Sequence, residues 1–107
     1  MGVTAKSLAD GVLTGSQATY YTVPALTTTI IKSASVTNNT GGAVNLSVWL
    51  NPRTSGTDRA LIDTHTVADE ETYLCPELVN QVLEAGGTLE ALGLNLVLYA
   101  SGVEIVS

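Results

Sequence analysis

Hydrophobic and polar positions alternate with a period of two along residues 43–51. The apolar positions are Val44, Leu46, Val48 and Leu50, and the intervening ones are Asn45, Ser47 and Trp49. This alternation is typical of a β-strand with one buried face. We therefore predict a strand whose valine and leucine side chains face the core, with Trp49 on the opposite face.

A second strand is predicted just upstream, over residues 28–38, where β-branched residues dominate. The alternation assigns Ile30, Ala34 and Val36 to one face, and Ile31, Ser33, Ser35 and Thr37 to the other. Residues 38–42 read Asn-Asn-Thr-Gly-Gly, and such residues tolerate a positive φ and favour a tight reversal. The two strands are therefore predicted to form a hairpin.

The rest of the chain reads mainly as further short strands separated by turn residues. They are predicted at residues 18–23, 60–67, 72–75, 88–92 and 94–100, the last continuing towards Val106. The single helix candidate is residues 77–84, where Pro76 suits a first helical turn. Seven to eight short strands without α/β alternation predict an all-β fold, an antiparallel β-sandwich that is jelly-roll-like or Ig-like.

The first 17 residues differ in composition from the rest of the chain. They are rich in Gly, Ser and Thr, and their large aliphatic residues are Val3, Leu8, Val12 and Leu13. We predict that residues 1–17 form an N-terminal arm outside the core. Residues 18–107 are then one sandwich domain, which is a usual domain size.

Charge restricts the classes of partner. Four Lys and Arg against ten Asp and Glu give a net charge of −6, whereas nucleic-acid affinity depends on clustered cations. The scattered cations also disfavour anionic lipid, and no apolar stretch is long enough to span a bilayer. We expect neither nucleic acid nor membrane as a partner, and a single cysteine without a signal peptide indicates synthesis in a reducing cytoplasm.

Candidate chemistry is sparse. His65 is the only histidine and has no evident nucleophile or orienting partner, and a lone Cys75 is most often a small buried hydrophobe. The acidic turn at residues 69–71 lacks the spaced ligands and central glycine of a calcium loop. No catalytic residue, metal ligand or cofactor site is predicted, and the chain is expected not to be an enzyme.

Partner contacts are predicted instead, from the arm and from aromatic residues. Tyr and Trp favour interfaces because they combine apolar area with a polar tip. The predicted contact residues are Val3, Leu8, Val12, Leu13, Tyr20, Tyr21 and Trp49. We expect a homo-oligomer, in particular a trimer, in which the arm docks on a neighbouring subunit or partner.

Several short motifs are similar to those of small structural proteins of tailed bacteriophages. They are Tyr-Thr-Val-Pro-Ala at 21–25, the Thr-rich strand 27–32, residues 36–38 and 44–50, and Ser-Gly-Val-Glu-Ile at 101–105. The resemblance runs from about residue 5 to 105, and residues 73–83 depart from it. It implies a β-sandwich virion component without catalytic residues, made in the bacterial cytoplasm.

The function that this resemblance implies is that of a capsid decoration, or cement, protein. Such a protein binds and stabilises neighbouring subunits of the major capsid protein, or contacts other virion proteins. Two alternatives remain open: a tail or head–tail accessory protein, and a receptor- or glycan-binding module on a tail. A groove of aromatic, Asn and Asp residues favours a glycan reader, whereas a flat apolar patch favours a clamp.

Overall fold

The computed structural model describes residues 2–107, and Met1, the first residue of the predicted arm, lies outside them. It contains nine strands: β1 (Gly2–Val12), β2 (Ala18–Thr22), β3 (Thr27–Thr37), β4 (Val44–Asn51), β5 (Arg59–Val67), β6 (Thr72–Tyr73), β7 (Val82–Leu83), β8 (Thr88–Leu92) and β9 (Val97–Val106). One 3₁₀ turn, Pro76–Leu78, lies between β6 and β7.

The strands form two antiparallel sheets. In the first sheet the order is β1-β9-β3-β6, and β7 also pairs with β3; in the second it is β2-β8-β4-β5. Buried side chains from both sheets make one core, so the predicted all-β sandwich is confirmed.

The apolar positions of β4 lie in this core as predicted. Leu46, Val48 and Leu50 are buried, and Val44 packs partly against them. Trp49, on the opposite side of β4, is half-buried. The period-two pattern therefore identified the inner face of β4 correctly.

The predicted hairpin between residues 28–38 and 43–51 is wrong, because β3 and β4 belong to different sheets. The intervening residues cross from one sheet to the other around the buried side chain of Asn38. Its amide nitrogen donates to the carbonyl oxygens of Gly42 at 2.8 Å and Val67 at 2.9 Å. Turn-forming residues suit such an arch as well as a hairpin, so their presence did not determine which strands pair.

A β-bulge corrects the predicted faces of β3. The register with β9 shifts between Ile31 and Ser33, so Lys32 is an extra residue and the alternation changes phase there. Ile31 is consequently buried with Ala34 and Val36, whereas Ile30, which was predicted to share their face, points outwards and is half-buried.

The predicted N-terminal arm is also corrected. Residues 2–12 pair with β9 from end to end and form an edge strand of the first sheet. Leu8 and Leu13 are buried in the core, whereas Val3 and Val12 are exposed. Because ladder hydrogen bonds use the backbone alone, a segment poor in large side chains still joins the sheet.

The predicted helix at residues 77–84 is replaced by the 3₁₀ turn and β7. Asn80 has a φ of 66°, which ends the turn, and its backbone N–H donates to the carbonyl of Ile31 at 2.6 Å. Leu78 and Leu83 are buried, so the helix-like apolar spacing reflects two separate contacts with the core. Among residues 2–107, no helix has the length and hydropathy needed to cross a membrane.

Candidate interaction face

The outer face of the first sheet, which we call the A face, is formed by side chains that point away from the core. Their positions follow from the register of β1, β9, β3 and the two short strands and from the alternation of burial. The A face comprises Val3, Ala5, Ser7, Asp10, Val12, Thr28, Ile30, Lys32, Ser33, Ser35, Thr37, Thr72, Val82, Val97, Tyr99, Ser101, Val103 and Ile105.

One end of the A face is aliphatic. Ala5, Val103, Ile30 and Val82 form a row across four strands, and Val3 lies beside Ile105 in the next row. Val3 is 66% exposed and Val82 52%. Contiguous exposed apolar side chains of this kind mark protein-interaction surfaces in soluble proteins.

The middle of the A face is flat and lined by small hydroxyl side chains. Ser7, Ser101 and Ser33 are directly paired across β1, β9 and β3, and the hydroxyls of Ser33 and Ser101 lie 2.7 Å apart, bonded to each other. Small side chains in this row leave room for another surface to approach the sheet closely. They also offer hydroxyl groups for hydrogen bonds to it.

The A face carries one charge of each sign among the residues that define it. Asp10 on β1 is paired with Tyr99, and Lys32 is the bulge residue of β3 beside Ser101. Both side chains are exposed, and the Lys32 ammonium donates to the Asn80 side-chain oxygen at 3.2 Å. The charges therefore flank the central strand on opposite sides.

The outer face of the second sheet, the B face, is more polar. It comprises Thr19, Thr22, Asn45, Ser47, Trp49, Asn51, Ala60, Asp63, Thr64, Thr66, Thr88, Glu90 and Leu92.

Side chains of the B face hydrogen-bond to one another and to neighbouring residues. Glu90 accepts bonds from the Gln17 amide at 2.6 Å and from the Thr88 hydroxyl at 2.9 Å, and Thr66 donates to Asn45 at 2.9 Å. Trp49 is paired with Glu90 on one side and Ala60 on the other. The acidic residues of the B face, Asp63 and Glu90, carry charges of the same sign, so two B faces would repel each other.

The edges of both sheets are poorly suited to adding another strand. β1 is bulged at Leu8 and turns the charged Lys6 inwards, β2 is bulged at Tyr20, and β5 is bulged where Thr64 has a φ of 57°. On the other edge of the first sheet, β6 and β7 have only two residues each. Bulges, inward charges and short edge strands all discourage edge-to-edge pairing, which leaves the sheet faces as the surfaces open to a partner.

Between the sheets, a buried carboxylate links three strands. Glu104 on β9 accepts a hydrogen bond from the Tyr21 hydroxyl on β2 at 2.5 Å and pairs with the Lys6 ammonium at 3.5 Å. The Tyr21 oxygen also lies 2.7 Å from the buried Thr29 hydroxyl. Burial, followed by the bond to Glu104, raises the pKa of Tyr21 to about 12. This network holds the sheets in register, since a buried charge requires its partners.

His65 and Cys75, the two residues considered for catalysis, lie in structural settings. The His65 ring stacks on Tyr73, with ring centres 3.9 Å apart, and the Tyr73 hydroxyl donates to the Glu77 carboxylate at 2.7 Å. Cys75 is buried, and burial, with a smaller effect of Glu77, raises the pKa of its thiol to about 12. A thiol that stays protonated at neutral pH is a poor nucleophile.

The carboxylates of the acidic turn accept hydrogen bonds from nearby backbone N–H groups. Asp69 accepts a hydrogen bond from the Gly41 N–H at 3.0 Å, and Glu71 accepts one from the Ala68 N–H at 2.8 Å. Within residues 2–107, no three His, Cys, Asp or Glu side chains are grouped so as to hold a metal ion. The same residues enclose no pocket.

The predicted contact residues do not form one surface. Val3 and Val12 lie on the A face, Trp49 lies on the B face, and Leu8 and Leu13 are buried. Tyr20 and Tyr21 are partly buried and pack against the core.

The residues predicted for contact do not include those of β9, the central strand of the A face, which contributes Ser101, Val103 and Ile105. The alternation of side chains in β9 is visible in the sequence, but the position of β9 between β1 and β3 is not.

No protein-family model matches the chain, and no curated protein and no solved structure matches it either.

Proposed function

We propose that this chain is a non-enzymatic structural protein that binds other proteins through its A face. The observation that carries the proposal is the aliphatic and serine-lined surface across β1, β9, β3 and β7. Burying the aliphatic end of this surface stabilises a complex. The rigid sandwich presents this face as a preformed platform, which lowers the entropy cost of binding.

The biological setting that we propose is a bacteriophage virion, where the chain would act as a capsid decoration protein. This part rests on the resemblance of residues 21–25, 27–32 and 101–105 to virion proteins. Its partners would be the major capsid protein and further copies of itself. An aliphatic and serine-lined surface without a pocket, of the kind that the A face presents, suits a clamp between subunits better than it suits a reader of glycans.

The test is mass spectrometry of particles purified from the organism that encodes the chain, with heads separated from tails. We expect the chain in the head fraction. Recovery in the tail fraction alone would replace decoration by a tail role, and absence from all particles would overturn the virion setting.

A matched pair of variants then tests the binding face. Val103→Arg, in the aliphatic end of the A face, should abolish retention of the purified chain on particles, whereas Thr66→Arg on the B face should not. Equal retention of both variants would refute the A face as the binding surface.

A further inference from the structure

From the A face we infer that its occupant is a second copy of this chain, stacked face to face about a two-fold axis that runs along β9. In this arrangement β9 of one protomer lies over β9 of its partner, and β1 lies over the partner's β3. The inference rests on the proposed function, because it names one of the two partners proposed there for the A face; a second copy and the capsid protein would occupy this face alternately.

The charges of the A face select this orientation. Asp10 and Lys32 lie on opposite sides of β9, so a rotation about β9 brings the aspartate of each protomer over the strand that carries the other's lysine. Their positions along the strands differ by two to three residues, or roughly 8 Å. The alternative axis, across the strands, puts β1 over β1 and leaves the opposite charges apart.

The middle of the A face permits close contact. Ser7, Ser33 and Ser101 have small side chains, and their hydroxyls are both donors and acceptors, so two copies of the same row satisfy each other. The aliphatic end, around Val103 and Ile30, is buried at the same time. A self-complementary patch of this kind is what an isologous two-fold contact requires.

The area of the face sets the expected strength. Three strands spaced about 4.8 Å apart and about ten residues long, at ~3.3 Å each, give a pair of faces that bury about 1,000 Å² in total. This lies near the lower limit for a specific interface. The dimer should therefore be reversible, with a dissociation constant in the micromolar range.

The B face argues against a ring in which A and B faces contact each other. A three-fold ring needs two different complementary patches on every protomer, and the B face, where Asp63 and Glu90 lie among hydroxyl and amide side chains, is a poor complement to the aliphatic end of the A face. Finding a trimer, the state expected from the sequence, would therefore overturn this inference.

The experiment is sedimentation-equilibrium mass of the full chain over a concentration series, without any particle present. We expect the parent to shift from monomer to dimer and Val103→Arg to stay monomeric. Thr66→Arg should dimerise like the parent. A parent that is monomeric throughout, or a trimer, would contradict the inference.

A charge swap tests the orientation. Asp10→Lys and Lys32→Asp should each weaken the dimer about fivefold at low salt, because each puts like charges opposite one another. The double variant Asp10→Lys/Lys32→Asp should return to within about twofold of the parent. If it is no stronger than the single variants, the proposed axis is wrong.

Failure of this inference is distinguishable from failure of the proposed function. A monomeric parent whose Val103→Arg variant is no longer retained on particles would leave the A face as a binding surface but assign it another occupant.

Discussion

The two outer faces of this sandwich differ in the polarity of their exposed side chains. On the B face, Glu90 accepts hydrogen bonds from Gln17 and Thr88, and Thr66 bonds to Asn45. On the A face, by contrast, the apolar side chains of Val3 and Val82 are more than half exposed to solvent. Both sheets contribute buried side chains to the core, so the difference lies in the outward positions. These positions, rather than the fold, carry the information about function.

The composition of both outer faces depends on which side chains point inwards. Val48→Asp tests this assignment and should have the largest effect. Val48 is fully buried in β4, so a carboxylate there has no partner. We expect a loss of at least about 4 kcal/mol in the free energy of unfolding, enough to prevent folding of a marginal domain.

The matched control is Val12→Asp, the same exchange at a side chain that is 57% exposed on the A face. It should change the free energy of unfolding by no more than about 0.5 kcal/mol in urea titration. If the two variants melt alike, the assignment of inner and outer faces fails.

The close spacing of β1, β9 and β3 depends next on Gly102, which lies beside the bulges of β1 and β3. A Cβ at this position would lie 2.2 Å from the carbonyl oxygen of Ile30 and 3.0 Å from the Leu8 side chain. Gly102→Ala should therefore force the strands apart and cost about 2–3 kcal/mol.

Gly11→Ala is the control in the same sheet, because a Cβ there meets nothing within 4 Å. Thermal unfolding should show little change for this variant. An equally stable Gly102→Ala variant would mean that the strands around Gly102 are not packed as described.

The register between the two sheets depends on Tyr21 and Glu104. Tyr21→Phe removes the hydroxyl that donates to the buried carboxylate, and we expect a loss of about 1–2 kcal/mol at pH 7. Tyr99→Phe, on the exposed A face, is the control and should not change the free energy of unfolding.

Tyr21→Phe should also change how the free energy of unfolding depends on pH. The pKa of Tyr21 in the folded protein is about 12, above its ordinary value of 10.0. The contribution of Tyr21 to the free energy of unfolding is therefore fully present below pH 10 and is lost as the pH rises from 10 to about 12. Because the residue is only partly buried, solvent screening limits this contribution to about 1 kcal/mol.

Tyr21→Phe should therefore flatten the alkaline decline of stability. The decline that remains belongs to Tyr73 and Cys75, whose pKa values are also raised to about 12. An unchanged decline in Tyr21→Phe, measured by urea titration from pH 8 to 12, would exclude the Tyr21 contribution.

The sequence predicted most strands and the inner face of β4 because alternation with a period of two is a local property of the chain. It did not predict which strands pair. Residues 38–42 suit a hairpin and an arch equally, and the buried side-chain bonds of Asn38 that make the arch are long-range. The bulge at Lys32 inserts one residue and reverses the alternation, which no local pattern revealed.

The candidate surface was harder to predict for the same reason. Its members come from both termini and from β3, and only their common register with β9 brings Val3, Val103 and Ile30 together. The contact residues were predicted one by one from their apolar or aromatic side chains. The prediction therefore included Leu8 and Leu13, which are buried in the core.

The most direct test of the account uses one aromatic residue on each face, Tyr99 on the A face and Trp49 on the B face. Hydroxyl-radical oxidation of both is measured by mass spectrometry at concentrations below and above self-association. If two copies associate through the A face, association protects Tyr99 and leaves the oxidation of Trp49 unchanged. Protection of Trp49 without protection of Tyr99 would contradict it and move the interaction to the B face.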